Sequence, residues 1–173
     1  RGSMDADPPA HKEKVANTAE FFVVLGLKFD RLGIHVPHEY VAEYCREMKG
    51  RAVGFAGIDP LDPDSPRQLE RAVRELGLRG VKFSPVYSGF DPWCKEAARI
   101  YTLADKLGVP ILWHQSAAYA LESTLEWGNP ILIDRIAREF PKLKMILAHV
   151  GQPWTEELVR SEEHTSELQS RET

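Results

Sequence analysis

The sequence predicts an α/β fold built on parallel strands, and three observations carry that prediction. Five short apolar runs alternate with segments of helical period. Their starts recur at intervals of about 30 residues, the length of one βα unit. The runs are continuously apolar rather than alternating, which suits strands covered on both faces. Such a rhythm means right-handed βαβ units and a parallel sheet. An open doubly wound sheet and a barrel both satisfy it. No Gly-x-Gly-x-x-Gly follows the first strand, so dinucleotide binding gains no support.

Residues 1–20 are polar and proline-broken, and read as an N-terminal extension or cut edge in which His11–Glu20 can form a short helix. Phe21–Leu27 is the first apolar run, followed by a loop over Lys28–Pro37. Glu39–Lys49 reads as a helix with Tyr40, Val41 and Tyr44 inward. Ala52–Asp59 is the second strand, stopped by the turn cluster Asp59–Pro66. Ser65 and Pro66 then start a helix through Leu76, with Leu69, Ala72, Val73 and Leu76 as its apolar stripe and Gly77 as its stop.

Gly80–Ser84 is the third strand, closed by Pro85 and a loop over Val86–Asp91. Trp93–Leu107 forms the next helix, with Ala97, Ile100, Tyr101, Ala104 and Leu107 inward and Gly108 at its end. Val109–Gln115 and Leu143–Gly151 are the last two strand candidates, separated by a loop and the helix Pro130–Phe140, which Pro141 stops. Gln152–Thr155 begins another helix. The tail over residues 160–173 includes Arg160–Ser170, which resemble the translation of a sequencing-library adapter. Residues 160–173 are expected to be a non-native or disordered tail, and His164 is excluded from any site. The folded unit therefore runs over 21–159.

With 173 residues and 43% hydrophobic content, the chain can bury one sizeable core. A net charge of −4 and the absence of a Lys/Arg stripe argue against nucleic-acid binding. No run approaches the roughly 20 apolar residues of a membrane span, and the start lacks the apolar core of a signal peptide. Cys45 and Cys94, far apart and in helical segments, make no disulfide framework, so a reducing cytoplasm is expected. Cys94 stands in a first helical turn that could lower a thiol pKa, yet reads as an idle cysteine rather than a nucleophile.

The chemistry-bearing residues cluster late in the chain. Trp113-His114 and Ala148-His149 each end an apolar strand with an imidazole. In a parallel α/β fold the carboxyl ends of the strands form the functional face. Imidazole there can bind a metal or move a proton near neutral pH. Two histidines in equivalent places favour function over two satisfied structural side chains. Lys82 lies inside the strand Gly-Val-Lys-Phe, where desolvation would lower its pKa. It reads as a Schiff-base nucleophile, an anion clamp, a carboxylated lysine bridging two metals, or a rim lysine reaching solvent. Asp59 is expected in a turn rather than in the site. His35 and His38 are read as loop histidines outside it, and Trp113, Trp154 and Phe90 as packing rather than pocket lining.

Gly80-Val81-Lys82-Phe83-Ser84-Pro85, Ile111-Leu112-Trp113-His114 and the stretch Phe140-Pro141-Lys142-Leu143 through Ala148-His149-Val150-Gly151-Gln152-Pro153-Trp154 resemble the amidohydrolase-related family. These are metal-dependent (β/α)8 barrels that include aminocarboxymuconate-semialdehyde and resorcylate-type decarboxylases. The resemblance covers about Phe21 to Val159. It implies a partial TIM barrel of five to six parallel βα units, because a complete one takes about 250 residues. It further implies that His114 binds a divalent metal, zinc first and manganese second. His149 is then the catalytic proton-transfer residue, and Lys82 a substrate-binding or metal-bridging position.

The activity implied is hydrolysis of a small-molecule substrate through metal-activated water. Alternatives are non-oxidative decarboxylation of a small carboxylic acid, a Schiff-base aldolase using Lys82, or a non-catalytic module. Partners are expected to be a small-molecule substrate and further copies of the parent, with neither nucleic acid nor membrane. The family's first-strand His-x-His or Glu-x-His has no counterpart before Phe21, and its last-strand aspartate none after Val159. The chain is therefore expected to be an internal fragment, inactive alone and a poor binder of metal.

Overall fold

A computed structural model describes residues 18–160. The predicted helix over His11–Glu20 lies almost wholly outside them, as do the tail from 161 onward and His164. Among the described residues five strands form one parallel sheet: β1 (Phe22–Leu25), β4 (Ala52–Gly57), β5 (Gly80–Phe83), β6 (Ile111–Trp113) and β7 (Met145–Leu147), in that spatial order. A doubly wound sheet starts in its middle and reverses direction. This order runs one way only, so it is the arc of a barrel. Two residue pairs, β2 (Lys28–Phe29) and β3 (Ile34–His35), make a small antiparallel hairpin within the expected loop after β1.

The helices are α1 (His38–Glu47), α2 (Ser65–Arg74), the short α3 (Pro85–Ser88), α4 (Lys95–Leu107) and α5 (Ile131–Glu139). Pro66 in the first turn and Gly77 at φ 75° bound the second of them as its sequence requires. Tyr40 is a correction: expected inward, it is exposed, whereas Val41 and Tyr44 carry the buried stripe of α1. Residues 155–160 begin the further helix expected after Gln152.

Register separates the two faces of the sheet. Val81 and Phe83 pair with Ile111 and Trp113, and all four are fully buried under the helices. They join Val41, Leu69, Ile100, Tyr101 and Ile136 in one core. Each large side chain so buried contributes about 1.5–3 kcal/mol. The opposite, inner face carries Val53, Phe55 and Gly57 of β4, then Gly80 and Lys82 of β5, Leu112 of β6 and Ile146 of β7. Val23, Val53 and Ile146 on that face are 48%, 39% and 44% exposed. The helix side is thus a finished core, while the inner side is apolar and partly open.

Candidate active site

The carboxyl ends of β5, β6 and β7 bring the predicted residues together. Trp113 faces the helices, so the next residue, His114, turns to the inner face. There it lies on the same side as Lys82, whose register partner is Leu112 two residues earlier. His149 is not equivalent to His114. Trp113 pairs with Leu147, which makes Ala148 the positional counterpart. His149 stands one residue further on, in a 3-10 turn over Ala148–Gly151 rather than on the strand. A straight continuation would aim it at the wrong face. The chain instead leaves the extended region, with His149 at φ 63° and Val150 at φ 53°, and the ring reaches its partner.

The two rings are 4.7 Å apart between centroids and inclined at 65°, with His149 Nε2 and His114 Nδ1 at 3.2 Å. The other nitrogen of His114, Nε2, meets the Ala117 carbonyl at 3.2 Å. A carbonyl can only accept, so Nε2 carries the hydrogen and Nδ1 is bare. His149 therefore donates from Nε2 to His114. Burial, then the positive charge of Lys82, lowers His114 to about 4, so it is neutral at physiological pH. His149 is exposed on its other side. The result is a directional imidazole pair in which the exposed His149 donates to the buried His114.

Lys82 is 5% exposed. Its Nζ donates to the Phe83 carbonyl at 3.2 Å, and burial alone pulls it down to about 7. Tyr87, inside the stretch expected to be a loop, completes the group. Its ring lies 4.9 Å from that of His114 and stacks on Phe29 at 5.2 Å. Ser84-Pro85 was the available signal, since proline at a first helical position followed by Gly89 is the pattern of a short helix. Gln115, beside His114, is fully buried with neither amide atom paired among the described residues.

The remaining candidates fall outside this cluster. Asp59 is buried and accepts from the Leu61 N–H at 3.1 Å, a turn role as expected, with its carboxyl raised by burial. His38 holds the Gly57 carbonyl at 2.9 Å, and His35 is exposed on the hairpin. Trp113 and Phe90 are core. Cys94 caps the start of α4 and burial raises its thiol, the reverse of an activated cysteine. A separate cavity of about 470 Å3 opens beside the loops after β1, β4 and β5, lined by Asp30, Arg31, Asp59, Asp62 and Ser88 among others. Lys28 lies below it, paired with Asp62 and bonded to Gln68, and holds the Asp62 carboxyl at about 2.

A metal centre is not completed by these residues. No group of three or more His, Cys, Asp or Glu able to hold an ion occurs among the described residues. The bare nitrogen of His114 is already occupied by the His149 hydrogen. An open catalytic site needs three protein ligands, more than the described residues bring together.

The parallel barrel arc thus carries a histidine pair just beyond the carboxyl ends of the adjacent strands β6 and β7. The chain belongs to the amidohydrolase family, whose model matches residues 6–170. Solved structures share the fold. An uncharacterized TIM-barrel protein from Bordetella bronchiseptica aligns with a TM-score of 0.77 at 19% identity, over 91% of this chain and 56% of that one. The 2,6-dihydroxybenzoate decarboxylase from Rhizobium aligns at 0.61 and 18% identity, over 91% and 59%. The 5-carboxyvanillate decarboxylase from Novosphingobium aromaticivorans, complexed with manganese and 4-hydroxy-3-methoxy-5-nitrobenzoic acid, aligns at 0.57 and 20%, over 79% and 44%. The chain thus spans about half the length of these barrels. Among the described residues no helix is long and apolar enough to cross a membrane.

Proposed function

We propose that this chain is the proton-transfer half of a non-oxidative decarboxylase acting on a small carboxylic acid, an aromatic one foremost. The carrying observation is the His149–His114 pair, in which an exposed histidine is hydrogen-bonded to a buried one. Loss of CO2 leaves an electron pair on carbon, and the reaction finishes only when a proton reaches that carbon. In this reading His149 delivers it, with His114 as its hydrogen-bonded neighbour. The stacked Tyr87 and Phe29 rings offer a wall for a planar substrate. The protonated fraction of Lys82 offers a cation to its carboxylate.

Hydrolysis was the leading expectation from sequence. The decarboxylases among the structural neighbours support the other reading better. For the whole protein a divalent metal is proposed, manganese ahead of zinc because the 5-carboxyvanillate enzyme carries manganese. The substrate is a small molecule. A reducing cytoplasm suits the two free thiols and is checked by fractionating cells that make the protein. The test of function is a hydroxybenzoic acid labelled with 13C at its carboxyl, given to the whole protein with Mn2+ or Zn2+. Labelled CO2 supports decarboxylation. Label retained in the acid, while an ester or lactone is opened, would return the hydrolase reading.

A further inference from the structure

The cavity of about 470 Å3 is lined by neither histidine of the pair. Three chain segments meet at it: Asp30 and Arg31 after β2, Asp59 and Asp62 after β4, and Ser88 and Gly89 at the end of α3. Phe29 and Tyr87, the stacked rings beside His114, are the chain neighbours of Asp30 and Ser88, so the cavity adjoins that aromatic wall. Arg31 is the cation of this lining. Its guanidinium lies against Gly89, where a Cβ would collide with Nη1, and donates to the Thr124 hydroxyl at 3.4 Å. Gly89 also holds φ 70° as the stop of α3, so backbone and arginine both require a glycine there. A guanidinium has five N–H donors. No carboxylate among the described residues pairs with this one, although three aspartates line the same cavity.

Those aspartates are unequally engaged. Asp62 is taken up by Lys28, by the Gln68 amide at 2.8 Å and by the Asp64 N–H at 2.9 Å. The buried Asp59 has the Leu61 N–H and the Ser88 hydroxyl against its carboxylate, which fill at most two of its roughly four acceptor positions. Asp30 is exposed and lies 3.8 Å from Lys28, which is itself committed to Asp62. The cavity thus offers an unpaired fork of donors and, apart from it, unfilled carboxylate acceptors. The acceptors do not converge on a metal ion, since no three such groups able to hold one occur among the described residues. We propose that this cavity is a binding site for small amino acids, molecules that carry both a carboxylate and a primary ammonium. Arg31 takes the carboxylate through paired N–H bonds, and Asp30 and Asp59 take the ammonium. The volume falls in the range of small-molecule sites. The charges of both signs in its lining favour a zwitterion over a simple acid or a simple amine.

The inference stands apart from decarboxylation, since neither histidine, nor Lys82, nor a metal takes part. The test is a ligand-observed NMR titration of the full 173-residue chain with L-alanine, β-alanine and 4-aminobutyrate, which set the two charges progressively further apart. Propionate and propylamine, each with one charge only, are the controls. The expected result is that at least one amino acid binds, and that both controls bind about tenfold or more weaker. Arg31→Gln should bring the amino acid down to the level of propylamine, and Asp30→Asn should weaken it severalfold. Both side chains are exposed, and far-UV circular dichroism verifies that the variants are folded. Absence of binding by all three amino acids would overturn the proposal. So would either control binding as tightly as the best amino acid, or an unchanged affinity in folded Arg31→Gln.

Discussion

His114 is neutral because it is buried, and that has a consequence for acid stability. Its pKa falls from 6.5 to about 4 on folding. Between those values the unfolded chain binds more protons than the folded one, so stability is full above pH 6.5 and drains as pH falls toward 4. His114→Gln should flatten this part of the urea-denaturation profile against pH. Lys82 acts alike at higher pH: with a native value of about 7 against 10.5, its cost is present in full below pH 7 and lifts as pH rises toward 10.5. Lys82→Met should therefore stabilise the protein by on the order of a few kcal/mol near pH 6, with the gain shrinking toward pH 10. The histidines were legible because a polar residue ending an apolar strand has no packing reason to be there. Tyr87 was not, because its partners Phe29 and His114 lie far off in sequence.

At the scale of elements, strand existence was legible and strand ends were not. Apolar runs mark where chains are buried, but pairing stops where a neighbour stops. Leu143–Gly151 accordingly yields only Met145–Leu147 as strand. The residue lost from that estimate is His149 itself, whose position depends on left-handed backbone at a histidine and a valine that no apolar pattern announces. A left-handed β-branched residue costs about 1–2 kcal/mol, and the turn closes on Gly151, where a Cβ would lie 2.8 Å from Leu158. The close approach of β4 to the end of β1 has a sharper test. A methyl on Gly57 would sit 2.7 Å from the Gly26 backbone. Gly57→Ala should cost about 1–3 kcal/mol in urea denaturation, because backbone cannot yield as a side chain can.

For the whole molecule, the monotonic strand order decided between the two architectures that periodicity left open. Spacing along a chain gives the number of βα units; only three-dimensional order says whether they wind one way. The open inner face predicts association: Val23, Val53 and Ile146 present apolar surface beside edges of β1 and β7 that no further strand among the described residues pairs. Replacing all three by lysine should lower the apparent mass of the chain in concentration-dependent light scattering. Metal affinity belongs to this scale as well. With two imidazoles hydrogen-bonded to each other and no third ligand among the described residues, equilibrium dialysis of the chain with zinc should show no micromolar site. Micromolar binding lost in His114→Ala would contradict that.

In the proposed reaction His149 hands a proton to the carbon that loses CO2. The direct measurement is decarboxylation of a hydroxybenzoic acid by the whole protein in D2O, comparing wild type with His149→Gln. The expected result is CO2 release with one deuterium at the vacated carbon, and a loss of about 10²- to 10⁴-fold in rate for the variant. Undiminished deuterium delivery by His149→Gln would contradict it.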